Sequence, residues 1–196
     1  MNFYAMIFVV LFGAVLVWGV VIYNGLVEAI NRIRVTFSQM DVQLQRRHDL
    51  IPNLVDTAKA YMKHERETLE AVINARNQAA QAAREIKDVL TLGTMQTLLG
   101  AENALGGLLS RFFALSEAYP DLKANQNMKA LMEELATAEN RVAFARQAYN
   151  DAVMYYNIRR EIFPNSLIAS SVGFQRALAW ESDAPMAIRE NMQVRF

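Results

Sequence analysis

From Phe3 to Ile22 the chain reads FYAMIFVVLFGAVLVWGVVI, an apolar run without a single charge. About 20 such residues, wound as a helix, match the roughly 30 Å hydrocarbon core of a bilayer. A helix on a soluble protein keeps a polar face, whereas a helix in lipid satisfies its backbone internally and meets its surroundings with apolar side chains on every side. The run therefore predicts a retained membrane anchor over residues 1–24, represented by Phe3, Leu11, Trp18 and Ile22. A cleaved secretory leader is the competing reading. It would carry a basic first region, a shorter apolar core and a small-residue cleavage site, and here Val21-Ile22-Tyr23-Asn24 follows instead. Tyr4, Trp18 and Tyr23 lie near the ends of the run, where amphipathic rings favour the headgroup layer.

No Lys or Arg precedes the run, while Arg32, Arg34, Arg46 and Arg47 follow it, partly offset by Glu28. Counting basic residues near a span orients it, and the count places the bulk of the chain in the cytoplasm rather than in the periplasm or outside. The remaining length suits one domain. With 20 basic against 20 acidic residues, the chain lacks the electrostatic footprint of a nucleic-acid binder. The absence of Cys removes disulfides, thiolate catalysis and Cys-type zinc sites.

Beyond the anchor, Leu26, Ile30, Ile33, Phe37, Met40 and Leu44 alternate steps of four and three, a heptad seam on a helix. The beat continues through Ile51, Leu54, Ala58, Tyr61, Leu69 and Val72, interrupted by Arg47 and Glu65. This predicts one long helix to about Glu85, kinked or briefly broken near His48 to Asn53, because Pro52 removes a backbone donor. A second seam runs through Met128, Leu131, Leu135, Ala138, Val142, Ala145, Tyr149, Ala152 and Tyr156, flanked by charges. Between the two, Thr94 to Tyr119 is a weaker helical stretch with Gly106-Gly107 inside it, which predicts a bend or close packing there. The expected fold is all-α: an N-terminal transmembrane helix continuing into an antiparallel long-helix bundle of three or four helices. Residues 25–181 form the bundle and 182–196 a tail. Phe37, Leu44, Arg47, Tyr61, Leu135, Val142, Tyr149 and Tyr156 are the candidate interaction seam.

Tyr23-Asn24-Gly25-Leu26-Val27, Arg46-Arg47-His48-Asp49-Leu50-Ile51-Pro52-Asn53-Leu54-Val55 and His64-Glu65-Arg66-Glu67-Thr68-Leu69 recur in one order with a second set of motifs. That set comprises Tyr119-Pro120-Asp121-Leu122-Lys123-Ala124-Asn125, Glu139-Asn140-Arg141, Ala148-Tyr149-Asn150-Asp151-Ala152-Val153, Phe163-Pro164-Asn165 and Gly173-Phe174. Together they resemble the LemA family over Tyr23 to Phe174. The resemblance implies an N-terminally anchored bacterial membrane protein with a helical-bundle body, and it supplies no catalytic residue.

The polar motifs admit a chemical reading. His48 beside Asp49 and His64 beside Glu65 invite a metal or acid–base site, yet on one helix positions 16 apart stand about 24 Å apart. The simpler reading is a kink whose polar groups satisfy freed carbonyls, with Arg47 and Glu65 fixing helix register. Asn140 and Asn157 either specify pairing or face a partner. No nucleophile–base set, glycine-rich phosphate loop or HExxH helix occurs in the sequence, so no catalytic, metal or cofactor site is expected. Leu167, Ile168, Ser171, Val172, Phe174, Leu178 and Trp180 cluster on one side of a helix that the sequence allows after Phe163-Pro164-Asn165. That segment either closes the bundle's own core, lies at the membrane interface or docks on a neighbouring protomer. The functional expectation is a non-enzymatic, single-pass scaffold that self-assembles as a homo-oligomer and organises or shapes the bilayer. The alternatives are an accessory subunit of a membrane protease, transporter or envelope sensor, and a metal-assisted hydrolase.

Overall fold

The computed structural model describes residues 3–88 and 92–180. Among these the chain is helical throughout, with no strand. Four long helices, α1 (Phe3–Lys59), α2 (Arg66–Asp88), α3 (Leu92–Ser116) and α5 (Gln126–Glu161), are joined by two short ones, α4 (Pro120–Ala124) and α6 (Asn165–Val172). The described residues form two compact units. One consists of residues 3–40 and 144–179, the other of residues 41–143 with 180.

In the second unit the apolar stripes of four helices close one core. Ile51, Leu54, Val55 and Ala58 of α1 meet Leu69, Val72 and Ala79 of α2, Leu105, Leu109 and Phe112 of α3, and Met128 and Leu135 of α5. These are the residues that the steps of three and four bring onto one side of each helix. α1 and α5 are antiparallel here: Arg47 meets Glu139, and further along α1 the partner steps back, so that Tyr61 meets Asn125 just before α5.

The long helix ends where the sequence did not place its break. α1 passes through Pro52 without interruption and stops at Lys59, and α2 begins at Arg66. The reversal is a turn in which Met62 N–H donates to Ala58 O and Leu69 N–H to Glu65 O. Met62 is fully buried at the turn, so the end of the core, and not proline, sets the reversal. The interruption of the seam at Glu65 was the local sign of it. Pro52 is tolerated because the carbonyl it leaves without a partner, His48 O, accepts a bond from Arg76 Nε of α2 at 2.9 Å. At Gly106 and Gly107 one of the two expectations falls. α3 is continuous through them, and a Cβ at either would meet nothing within 4 Å, so close packing is not their reason.

In the first unit α6 folds back on α1, burying Ala169 with Ile22 and Leu26. α6 stops at Gly173, whose φ of 84° is a left-handed cap that glycine adopts without strain. From Phe174 to Trp180 the chain is irregular, where the sequence had suggested helix as far as Trp180.

Candidate functional site

The most concentrated polar group lies inside the second unit. Arg47 is about 5% exposed and sits between two carboxylates, pairing with Glu102 of α3 and with Glu139 of α5 at 3.0 Å. Beside it His48, about 1% exposed, places Nε2 at 2.9 Å from Oε1 of Glu102. Buried charges persist only when paired and hydrogen-bonded, and here one arginine neutralises the buried Glu102. Burial, reinforced by the Arg47 and Arg76 guanidinium groups, pushes the His48 imidazole down to about 4, so it is neutral near pH 7. Neutral His48 donates Nε2–H to the carboxylate. The cluster joins α1, α3 and α5, and Arg76 adds α2 through His48 O and through Asp49 at 3.5 Å.

His48 and His64 are not brought together. His48 lies in the core, whereas His64 is exposed in the turn between α1 and α2. Among the described residues no three His, Asp or Glu side chains stand as a metal-ligand group.

The first unit carries the apolar run. Phe3, Leu11 and Trp18 are exposed on α1, while Ile22 is buried against α6. Within the most apolar window of this helix about 6% of residues are buried. The helix thus shows apolar side chains on all sides over the length of a bilayer span. The seam candidates face inward. Phe37 packs edge-on against Tyr149 with centroids 5.9 Å apart, and Leu44, Leu135, Val142 and Tyr156 are buried. Arg47 belongs to the buried cluster, and Tyr61 stays about 37% exposed, its hydroxyl accepting from Asn125.

One function of these seam residues was not legible from periodicity. Tyr149, Tyr156, Asn157 and Arg160 of α5 bind the backbone of the irregular segment after α6. Tyr149 OH donates to Leu178 O (2.8 Å), Tyr156 OH to Gln175 O (2.7 Å) and Arg160 Nε to Phe174 O (2.7 Å). Asn157 donates to Ala177 O and accepts from Ala177 N–H, a reciprocal amide pair. Asn157 therefore holds a strap, and Asn140 is exposed.

An all-α chain with a fully apolar N-terminal helix and a bundle fastened by a buried arginine–carboxylate cluster defines the class: a helical protein with a candidate membrane span. Residues 36–196 match the LemA family, and the chain belongs to that family. Similar proteins include magnetosome proteins MamQ 1 and MamQ 2 of Paramagnetospirillum magneticum, each 27% identical over 171 residues. The match covers 79% of this chain and 63% of each relative. Magnetosome protein MamQ of Magnetospirillum gryphiswaldense is 25% identical over 170 residues, covering 79% of this chain and 62% of the relative. The chain thus spans less than two thirds of the length of these relatives.

Proposed function

We propose that the protein is a single-pass membrane scaffold without catalysis, anchored by α1, whose bundle assembles with further copies of itself to organise or shape the bilayer. The observation that carries this reading is the apolar helix exposed on every face, which only a hydrocarbon phase suits. A non-catalytic role is supported by the state of the one acid–base candidate: His48 is buried, neutral and engaged with Glu102. Arg32, Arg34, Arg46 and Arg47 after the span favour a cytoplasmic body. The magnetosome designation of the relatives names one place where such a scaffold would work, and the proposal for this chain is the general role and not that place. Crosslinking in native membranes followed by electron microscopy of the purified particle tests it. A symmetric homomer is expected, and a monomer at every concentration refutes self-assembly.

A second reading, an accessory subunit for another membrane protein, is favoured by a cleft of about 670 Å³ at the α1–α2 turn. Val55, Met62, Leu69 and Ile73 line it beside Lys59 and Lys63. Arg66, Glu70 and Asn74 complete its rim, so an apolar floor edged with charge would receive an apolar side chain on a polar partner segment. Co-purification of one foreign membrane protein at fixed stoichiometry, abolished by Ile73→Asp, would select this reading over the first.

A further inference from the structure

The first unit carries a second apolar surface that the anchor does not account for. Ile162 and Phe163, at the corner after α5, and Leu167 and Val172, on α6, are exposed, Phe163 by about 79% and Leu167 by about 62%. Four large apolar side chains clustered on a short helix and its approach are unusual on a surface facing water. Their placement relative to α1 says what covers them. Along α5, contacts step back down α1: Tyr149 meets Phe37, and further on Arg159 lies against Gly25, where even a Cβ would collide with its guanidinium. The corner follows two turns or less later. α6 then overlaps the apolar run itself, since Ile168 Cδ1 is 3.8 Å from the position of a Cβ on Gly19, and Ala169 is buried against Ile22 and Leu26.

Around this level stand the side chains that suit a headgroup layer. The Phe174 and Tyr23 rings pack 5.8 Å apart, and Arg32 and Arg159 flank the Tyr155 ring at 5.9 and 5.8 Å. Arg160 is half-buried nearby, and Arg176 lies 3.8 Å from Glu161. A helix packed on the protein through Ile168 and Ala169, with Leu167 and Val172 outward beside Ser170 and Ser171, whose hydroxyls donate to the helix's own carbonyls, matches the geometry of interfacial segments at the level where a span leaves the hydrocarbon.

We propose that the α5–α6 corner and α6 form an interfacial foot, with Ile162, Phe163, Leu167 and Val172 immersed among the headgroups and upper acyl chains of the leaflet from which α1 emerges. The inference rests on the reading of α1 as a membrane span. Its consequence is mechanical: the first unit touches the bilayer at two places, the span and the foot, which fixes its tilt and displaces lipid in one leaflet. A foot that occupies one leaflet gives each copy a wedge, which is how a scaffold shapes a membrane without a cargo.

The chain contains no cysteine, so single-cysteine variants report single sites. Full-length protein is reconstituted in phosphatidylcholine vesicles, with or without phosphatidylglycerol, and an environment-sensitive fluorophore is attached to Phe163→Cys, Leu167→Cys, Gln39→Cys or Leu11→Cys. Gln39 is an exposed residue of the same unit, roughly 25 Å beyond Ile22 along α1. Spin-labelled lipid should quench the probe at 163 and 167, with aqueous iodide quenching several-fold weaker there than at 39. Unchanged helicity confirms that the variants fold. Lipid quenching at 11 with iodide-accessible probes at 163 and 167 overturns the foot and leaves the span standing. Absence of lipid quenching at 11 overturns both. Shielding at 163 and 167 from both quenchers, relieved when the protein is diluted in lipid, assigns the surface to a second copy and also overturns the proposal.

Discussion

Replacing Arg47 by methionine leaves a chain of similar shape in which the buried carboxylate of Glu102 has lost its counter-charge. Removing one partner of a buried pair costs about 3–5 kcal/mol, most of it the penalty of the charge left behind. Glu139 adds little to the loss, because its side chain is about 41% exposed and water screens it. For a chain of this size a loss of about 4 kcal/mol lowers the midpoint of thermal unfolding by roughly 10 °C. The same substitution alters the response to acid. In the native protein His48 stays neutral down to about 4, while an unfolded imidazole takes its proton near 6.5. Between those values the unfolded chain binds more protons, so the stability present above 6.5 is lost as the pH falls toward 4, by about 3 kcal/mol in total. Arg47→Met removes a repelling cation and frees Glu102 to pair with imidazolium, so the acid loss shrinks. Adding Glu102→Gln removes the orphaned charge and recovers much of the stability. The assay is denaturant unfolding in detergent at pH 7 and pH 5, followed by circular dichroism. A loss below about 1 kcal/mol for Arg47→Met, or a pH response parallel to that of the native chain, would show that the cluster is not the charge-balanced staple its geometry describes.

Arg76→Met strands the His48 carbonyl, at about 1–3 kcal/mol, and in a Pro52→Ala background, where the restored N–H serves that carbonyl, the same change should cost measurably less. Gly106→Ala and Gly107→Ala should each stabilise α3 by about 0.5–1 kcal/mol, since nothing lies within 4 Å of either new methyl; destabilisation by thermal melt would reveal a packing constraint. Asn157→Ala breaks both bonds to Ala177 and should raise hydrogen exchange at the Ala177 amide well before global unfolding. Burial lifts the Tyr149 hydroxyl to about 12. The unfolded phenol ionises near 10, so the contribution of Tyr149 is present below pH 10 and lost as the pH rises from 10 to 12. Tyr149→Phe, which has no proton to lose, should flatten that alkaline limb.

How much of this was legible in the sequence follows the range of the forces involved. The apolar run and the two seams are local periodicities, and every residue of the second seam, from Met128 to Tyr156, is buried or half-buried in the structure. The end of α1 was not legible, because Pro52 is a strong local breaker whose lost bond is repaired by Arg76, a residue 28 positions away. The buried cluster was half visible. Arg47 stood out as a charge in an apolar seam, whereas Glu102 sits in a helix whose pattern gave no reason to single it out. The strap was invisible for a similar reason: the seam marks Tyr149 and Tyr156 as apolar, and only the fold shows their hydroxyls spent on the carbonyls of Leu178 and Gln175.

Burial of the seams within one chain moves the question of self-assembly to other residues. Phe37, Leu44, Leu135, Val142, Tyr149 and Tyr156 are already covered, so a second copy reaches them only by opening the bundle. Outside the apolar run and the α5–α6 corner, the large apolar side chains more than half exposed among the described residues are Val35 and Val42 on α1 and Phe144, Met154 and Ile158 on α5, all but Val42 in the first unit. A homomeric contact should therefore be sensitive to Phe144→Glu and Met154→Glu and indifferent to conservative seam changes such as Leu135→Met, which act on folding alone. Crosslinking yield in membranes separates the two. Loss of crosslinks with the seam variant but not with Phe144→Glu or Met154→Glu would mean that assembly proceeds by exchange of helices between chains, not by contact of finished bundles.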